Sequence, residues 1–236
     1  MKKLLEKDRE LALCLYLILG ALFIASLVTC NLIFRKFFGL TFFEGSAFEF
    51  RLEQSVGLLP YPITFLLTDL ISEIFGARRA NQVVFAGLLS SVFVLLIVYV
   101  AGAAPATSWS YVSDEGFSTV FGQTGLAVSA SMVAYLIAQF IDIRIYHYWK
   151  KLTAGKKLWL RNNFSTMSSQ VVDTSVVLLL LCFGGEIEWS MFASLLFYGV
   201  AFKVTVAALD TPIMYLCTYF VRKRFGLAPG EEISLV

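Results

Sequence analysis

Six ionisable residues sit inside stretches of the chain that are otherwise apolar. Asp69 and Glu73 fall in 56–75, Asp142 closes 120–141, Asp173 falls in 164–183, and Lys203 with Asp210 falls in 189–221. A charged side chain at the centre of a spanning helix costs about 2.5–3.5 kcal/mol, so Asp69 and Glu73 together cancel the contribution of about ten good apolar residues. Residues this costly must face the protein interior, where a carboxylate without a donor is itself unfavourable. Spacing adds direction. Asp69 and Glu73 are i, i+4 on one helix face, and Gln139 with Asp142 and Gln170 with Asp173 are each i, i+3. Three helices therefore direct carboxylates and amides inward. Five acids are set against three cations, Lys203, Arg144 and Arg161. Surplus acceptors of this kind take donors from a polar ligand, from water or from protons. The alternative is a purely structural set, with Lys203 neutralising Asp173 and the remaining acids pairing with Arg144 and Arg161 to lock the bundle.

The elements that must hold these groups follow from composition. Of 236 residues, 58% are hydrophobic and only 15% charged, and mean hydropathy is +0.75. That excludes a water-soluble chain. Apolar stretches at 11–34, 56–75, 83–100, 120–141, 164–183 and 189–221 are each of a length to cross an apolar layer of about 30 Å, the last being overlong. The expectation is an all-α integral membrane protein, one transmembrane domain over 1–236 built as a six-helix bundle. Lys2, Lys3, Lys7 and Arg9, then Arg78 and Arg79, then Lys150, Lys151, Lys156 and Lys157, then Arg222, Lys223 and Arg224 fall on one side. Basic residues in short connections stay cytoplasmic, which puts both termini inside. Asp69, Asp173 and Lys203 then lie near mid-membrane, with Glu73, Asp142 and Asp210 nearer the cytoplasm. A signal peptide is disfavoured at the start, because Glu6, Asp8 and Glu10 interleave the basic residues and the apolar run is too long.

Other chemistry is thinly represented. Cys14, Cys30, Cys182 and Cys217 lie singly in apolar stretches and read as packing residues, and His147 has no second histidine with which to hold a metal. No cofactor is implied. A net charge of +2 gives no reason to expect a nucleic-acid partner. Glycine-rich phosphate loops, HExxH and GxSxG are absent, so ATP hydrolysis and enzymatic chemistry are disfavoured. Small residues Ala127, Ala130, Ser131, Ala134 and Ala138 suit close helix packing, and Pro60, Pro62 and Pro212 each remove an amide donor and disturb the helix locally. The connection 35–55 mixes Phe and Glu in a pattern too weak to specify an interfacial helix.

The residues themselves resemble a family. Pro62-Ile63-Thr64-Phe65-Leu66-Leu67-Thr68-Asp69-Leu70-Ile71-Ser72-Glu73-Ile74-Phe75-Gly76 followed by Arg78-Arg79-Ala80 is similar to the signature of the queuosine precursor transporters, six-helix bacterial membrane proteins of the VUT type. Ala134 to Gln139 with Asp142 resembles that family's fourth helix. Leu158 to Asn163 with Ser165, Thr166, Gln170 and Asp173 resembles the fifth, and Lys203 with Asp210-Thr211-Pro212 and Tyr215 resembles the sixth. The resemblance runs from Pro60 to Tyr215, about two thirds of the chain. Phe75 departs from it, standing where the family commonly has tyrosine.

The resemblance implies a multi-pass importer in the bacterial inner membrane that salvages precursors for tRNA modification: 7-cyano- or 7-aminomethyl-7-deazaguanine, or queuine. A deazaguanine offers an N–H and an amine on one edge and a carbonyl on the next, which a carboxylate and an amide or lysine can read. The expected substrate-binding residues are Asp69, Glu73, Gln139, Asp142, Gln170, Asp173 and Lys203, between spans two, four, five and six, with Arg161, Asn162 and Asp210 as gating or supporting residues. Phe65, Tyr135 or Phe202 would stack the base. Energy would come from protons moving through Glu73, Asp142 or Asp210, or from an ATP-driven module docking from the cytoplasm, with a second copy of the chain as a further partner. The alternative function is a substrate-binding membrane subunit for another vitamin-like molecule, working with such a module.

Overall fold

A computed structural model describes residues 6–34, 36–42, 50–122, 125–185 and 187–235. Lys2 and Lys3 of the charge pattern lie outside the described residues, as do the side chains of Ala127 and Ala130. Seven helices and one hairpin form in the order α1 (Glu6–Ile33), β1 (Phe37–Phe42), β2 (Phe50–Ser55), α2 (Tyr61–Phe75), α3 (Ala77–Ala103), α4 (Asp114–Phe121), α5 (Gly125–Leu152), α6 (Leu158–Phe183) and α7 (Trp189–Phe225). Among the described residues, five helical stretches are long and apolar enough to cross a membrane. The chain is an all-α membrane protein. Its lipid-facing belt is made of side chains such as Leu17, Leu22, Phe93, Leu96, Phe197 and Leu209, all exposed on the bundle surface.

The start of α1 and the end of α7 share one end of the bundle. Arg224 donates to Asp8 at 3.0 Å, and Arg9 Nε donates to the Leu235 carbonyl. Lys150 and Arg79 belong to the same end, so it is called the basic end below.

Several elements differ from the sequence expectation, each for a local reason. In 56–75 a 3₁₀ turn, Val56–Leu58, precedes α2, because Pro60 and Pro62 cannot donate to a continuous ladder and instead occupy its first turn. At residues 35–55, strands β1 and β2 pair antiparallel with Phe37 opposite Ser55 and Phe42 opposite Phe50, a register suited to aromatic-rich segments. Val120 and Phe121 belong to α4, a short helix with Ser113 as its N-cap, and Gly122 separates it from α5. α5 then runs ten residues beyond Asp142, as the apolar pattern Ile143, Ile145, Tyr146 continues the helix to Leu152. Asp142 therefore lies within the bundle and not at a helix end. α7 passes through Pro212 unbroken and, at about 1.5 Å per residue, is about 55 Å long.

α2 is the axis. Every residue from Leu67 to Phe75 is buried, and α1, α3, α5 and α7 pack around it. It is joined to α3 through Gly76 alone, at φ 85° and ψ 168°, a conformation open essentially to glycine only. The chain end folds back beneath this link: Ile233 is buried, its amide donates to the Ile74 carbonyl at 2.7 Å, and a carbon added at Gly76 would meet the Glu232 carboxylate. Gly76→Ala should lower stability by about 1–3 kcal/mol through backbone strain. Thermal unfolding in detergent would show this as a clear fall in midpoint, and a smaller one for Gly185→Ala, whose added carbon meets nothing within 4 Å.

Candidate functional site

The polar residues of the interior form three tiers along α2 and α6. On α6, rise alone separates Arg161, Thr166 and Asp173 by about 5, 12 and 22 Å from Leu158, all facing inward. The residues recur at three and four, so one helix face carries Arg161, Ser165 and Ser169 beside Asn162, Thr166, Gln170 and Asp173. No hydrocarbon side chain interrupts that stripe.

The first tier, at the basic end, is centred on Glu73. Arg161 donates from Nη2 to Glu73 Oε1 at 2.6 Å and from Nε to Oε2 at 3.1 Å, a two-pronged pair in which Arg161 is fully buried. Arg222 of α7 donates to the same Oε1, and the Tyr146 hydroxyl donates to Oε2 at 2.9 Å. Lys150 reaches the Glu73 carboxylate at 3.7 Å, donates to the backbone carbonyls of Ser72 and Glu73, and pairs with Glu232 at 2.9 Å. Three helices besides α2, namely α5, α6 and α7, thus close on one carboxylate. The sequence expectation named Arg161 as a partner and missed Arg222 and Lys150, which lie in the last turns of α7 and α5 among basic residues that read as topology anchors. Arg144 is exposed and takes no part.

The second tier holds Asp69 and Asp142, whose carboxyl groups face one another within hydrogen-bonding reach. Thr166 donates to Asp69 Oδ2 at 3.2 Å and Ser169 to Asp142 Oδ1 at 3.0 Å. Among the described residues, Asp69 Oδ1 and Asp142 Oδ2 are buried without a hydrogen-bond partner, as are Gln139 Nε2 and Asn162 Oδ1. Gln139 Oε1 accepts from Thr68 at 3.2 Å.

The third tier borders a cavity of about 320 Å³ in the half of the bundle remote from the basic end. Lys203 donates to Asp173 Oδ2 at 2.6 Å and to Thr174 Oγ1 at 3.2 Å, with its ammonium 4.8 Å from the centre of the Tyr61 ring. Tyr61, Tyr135, Ser131, Asn31 and Ser91 add polar atoms to the wall, and Leu27, Cys30, Leu58, Met132, Val177 and Leu181 supply its apolar part. The Tyr135 hydroxyl is buried without a partner. Such a volume is at the small end of the range for small-molecule pockets, about 300–1,000 Å³.

Of the sequence-derived site residues, Asp173 and Lys203 line this cavity. Gln170 and Asp210 lie with Lys203, Thr166 and Phe65 on an adjoining cleft, while Asp69, Glu73, Gln139 and Asp142 are packed beneath and do not reach the cavity wall. Asn162 is buried next to Arg161, one turn before Thr166 on α6, and Asn163 exchanges hydrogen bonds with Thr211 of α7. Tyr135 faces the cavity; Phe202 does not line it. Asn31, Ser91 and Tyr61 escaped the sequence reading. Only Asn31, the single amide within the apolar run of α1, carried a signal, since serine and tyrosine are common in such helices.

Residues 55–217 match the model of the family described as "Putative vitamin uptake transporter". A "Probable queuosine precursor transporter" of Bacillus subtilis is 30% identical over 131 residues, 54% of this chain and 56% of its own. The "Queuosine precursor transporter" of Escherichia coli is 31% identical over 119 residues, 50% of each chain, and a "Probable queuosine precursor transporter" of Haemophilus influenzae is 27% identical over 135 residues, 56% of this chain and 53% of its own. The chain spans about half the length of these curated relatives. No solved structure matches it. With its apolar helices and bacterial relatives, it is a multi-pass protein of the inner membrane.

Removing the carboxylate of the first tier strands a fully buried guanidinium. Glu73→Gln should destabilise the fold by about 3–5 kcal/mol, seen as a large fall in thermal midpoint and in membrane abundance. Adding Arg161→Gln should restore part of that loss, because the two costs share one interaction.

Proposed function

The chain belongs to the vitamin uptake transporter family, and on that premise we propose that it imports a queuosine precursor, a 7-deazaguanine base, bound in the cavity over Asp173 and Lys203. The observation that carries this reading is the third tier: a carboxylate and an ammonium side by side on the wall of a largely apolar cavity that Tyr61 and Tyr135 also line. The names borne by the three relatives support the substrate class.

The chemistry fits the edge of the base. Asp173 accepts from the ring N–H and exocyclic amine, Lys203 keeps protons to donate to the neighbouring carbonyl, and Tyr61 or Tyr135 lies against the ring. The partnerless Tyr135 hydroxyl offers one further polar contact. In this arrangement the bound base reaches the cavity from the outer side, and the Glu73 network closes the cytoplasmic side. Passage inward then requires Arg161 and Arg222 to part from Glu73, which gives Arg161 a gating role and leaves Asn162 and Asp210 to support the helices that move.

Hydrogen bonds to a charged group contribute about 1.5–3 kcal/mol each, and 1.4 kcal/mol is tenfold in affinity. Asp173→Asn should therefore weaken binding of 7-cyano-7-deazaguanine by about 10- to 100-fold, read as loss of ligand-induced thermal stabilisation in detergent. It should also abolish uptake in a queuosine-auxotrophic host at normal membrane abundance. Wild-type uptake by the Asp173→Asn protein would remove this site. Equal stabilisation by guanine and by the deazaguanines would remove the substrate class.

A further inference from the structure

We propose that Asp69 and Asp142 form a proton-binding pair that couples entry of the substrate to entry of a proton. This rests on the transport reading above and identifies its driving ion.

The pair is unlike the two ion-paired carboxylate sites in the bundle, Glu73 and Asp173. Glu73 is matched by Arg161 and Arg222, and Asp173 by Lys203. Asp69 and Asp142 are buried, face each other, and have no cation in ion-pair contact among the described residues. Among the described residues their donors are hydroxyls of α6, Thr166 for Asp69 and Ser169 with Ser165 for Asp142, and each carboxyl keeps one oxygen without a protein partner. Two bare carboxylates facing each other in a buried site are strongly unfavourable. One proton resolves both problems together: it turns one group into an O–H donor to the other and leaves one negative charge delocalised over the pair. A second, separate observation points the same way. Gln139, fully buried and one helical turn from Asp142 on α5, has an amide nitrogen with no acceptor. Donor and acceptor capacity are thus both left open in this tier, the condition of a site whose occupancy changes.

The surrounding charges set the exchange. Below the pair, Glu73 is one turn along α2; with Glu232 it makes two carboxylates against Arg161, Lys150 and Arg222, so the first tier has one positive charge in surplus. A singly charged pair balances it. From α5 the neighbouring groups are Tyr146 and Tyr135, and from α7 Lys203, already held by Asp173, with Asp210 on the adjoining cleft. Loading takes one proton from water on the outer side onto an aspartate oxygen. Release returns the same proton to cytoplasmic water, the pair passing from one negative charge to two and back. The link to substrate is α6. Ser169 and Thr166, the donors to the pair, lie one and two turns from Asp173 on the same face, so displacement of α6 by a ligand at Asp173 changes the donors the pair depends on.

The test uses the full chain in two arms. In the first, infrared spectra of detergent-purified protein at neutral pH should contain the carbonyl stretch of a buried carboxylic acid. Asp69→Asn and Asp142→Asn should each lose it, since the introduced amide replaces the proton as donor. Absence of that band from wild type, or its survival in both variants, overturns the proposal whatever the substrate. In the second arm, proteoliposomes are given labelled 7-cyano-7-deazaguanine. Wild type should accumulate it at least tenfold above equilibrium when the interior is alkaline, with no response to a sodium gradient. The two variants should still exchange label in counterflow but lose the gradient-driven accumulation. Accumulation that ignores the pH gradient, or that a sodium gradient drives equally, overturns the coupling. Failure of wild type to exchange any 7-deazaguanine would instead count against the import reading, and the infrared arm would still decide the pair.

Discussion

A carboxylate that no water reaches must be neutralised by protein atoms, and the bundle is arranged around the one place where this is done completely. Glu73 receives two guanidinium groups, an ammonium and a phenol from three helices besides its own. Those partners come from residues far apart in the chain, so the full set can form only when α2, α5, α6 and α7 are all in place. In water an exposed pair of this kind contributes little. In an apolar interior, each partner would be prohibitively costly alone, which makes the assembled set a condition of the fold more than a bonus to its stability.

From that anchor the interior changes character with distance along α6. Near the basic end the charges are saturated, in the middle two carboxyls are short of donors, and beyond them a lysine–aspartate pair borders an open cavity. A bundle that needed polar residues only for packing would have no reason to grade them in this way.

Much of this layout was legible in the residues. The apolar stretches gave the long helices, and the cost of burying Asp69, Glu73 and Asp173 was enough to turn their helix faces inward, where the structure buries them. What failed were features decided by partners distant in sequence. Arg222 and Lys150 look like ordinary membrane anchors until α7 and α5 are seen to end over Glu73. Asp142 looked like a helix-terminal residue because the apolar content thins after it, although tertiary packing of Ile143 and Tyr146 carries the helix onward. The cavity wall drew on α1 and α3 through Asn31 and Ser91, whose side chains carry no charge and so raised no alarm when read one helix at a time. Strand pairing in the 35–55 connection depends on two segments finding each other, information that helical periodicity does not contain.

The unbroken length of α7 has a mechanical consequence. Lys203 and Arg222 are carried on one stiff rod, about 28 Å apart, just as Asp173 and Arg161 are carried about 18 Å apart on α6. Prising the two rods apart at one end therefore levers against the paired charges at the other.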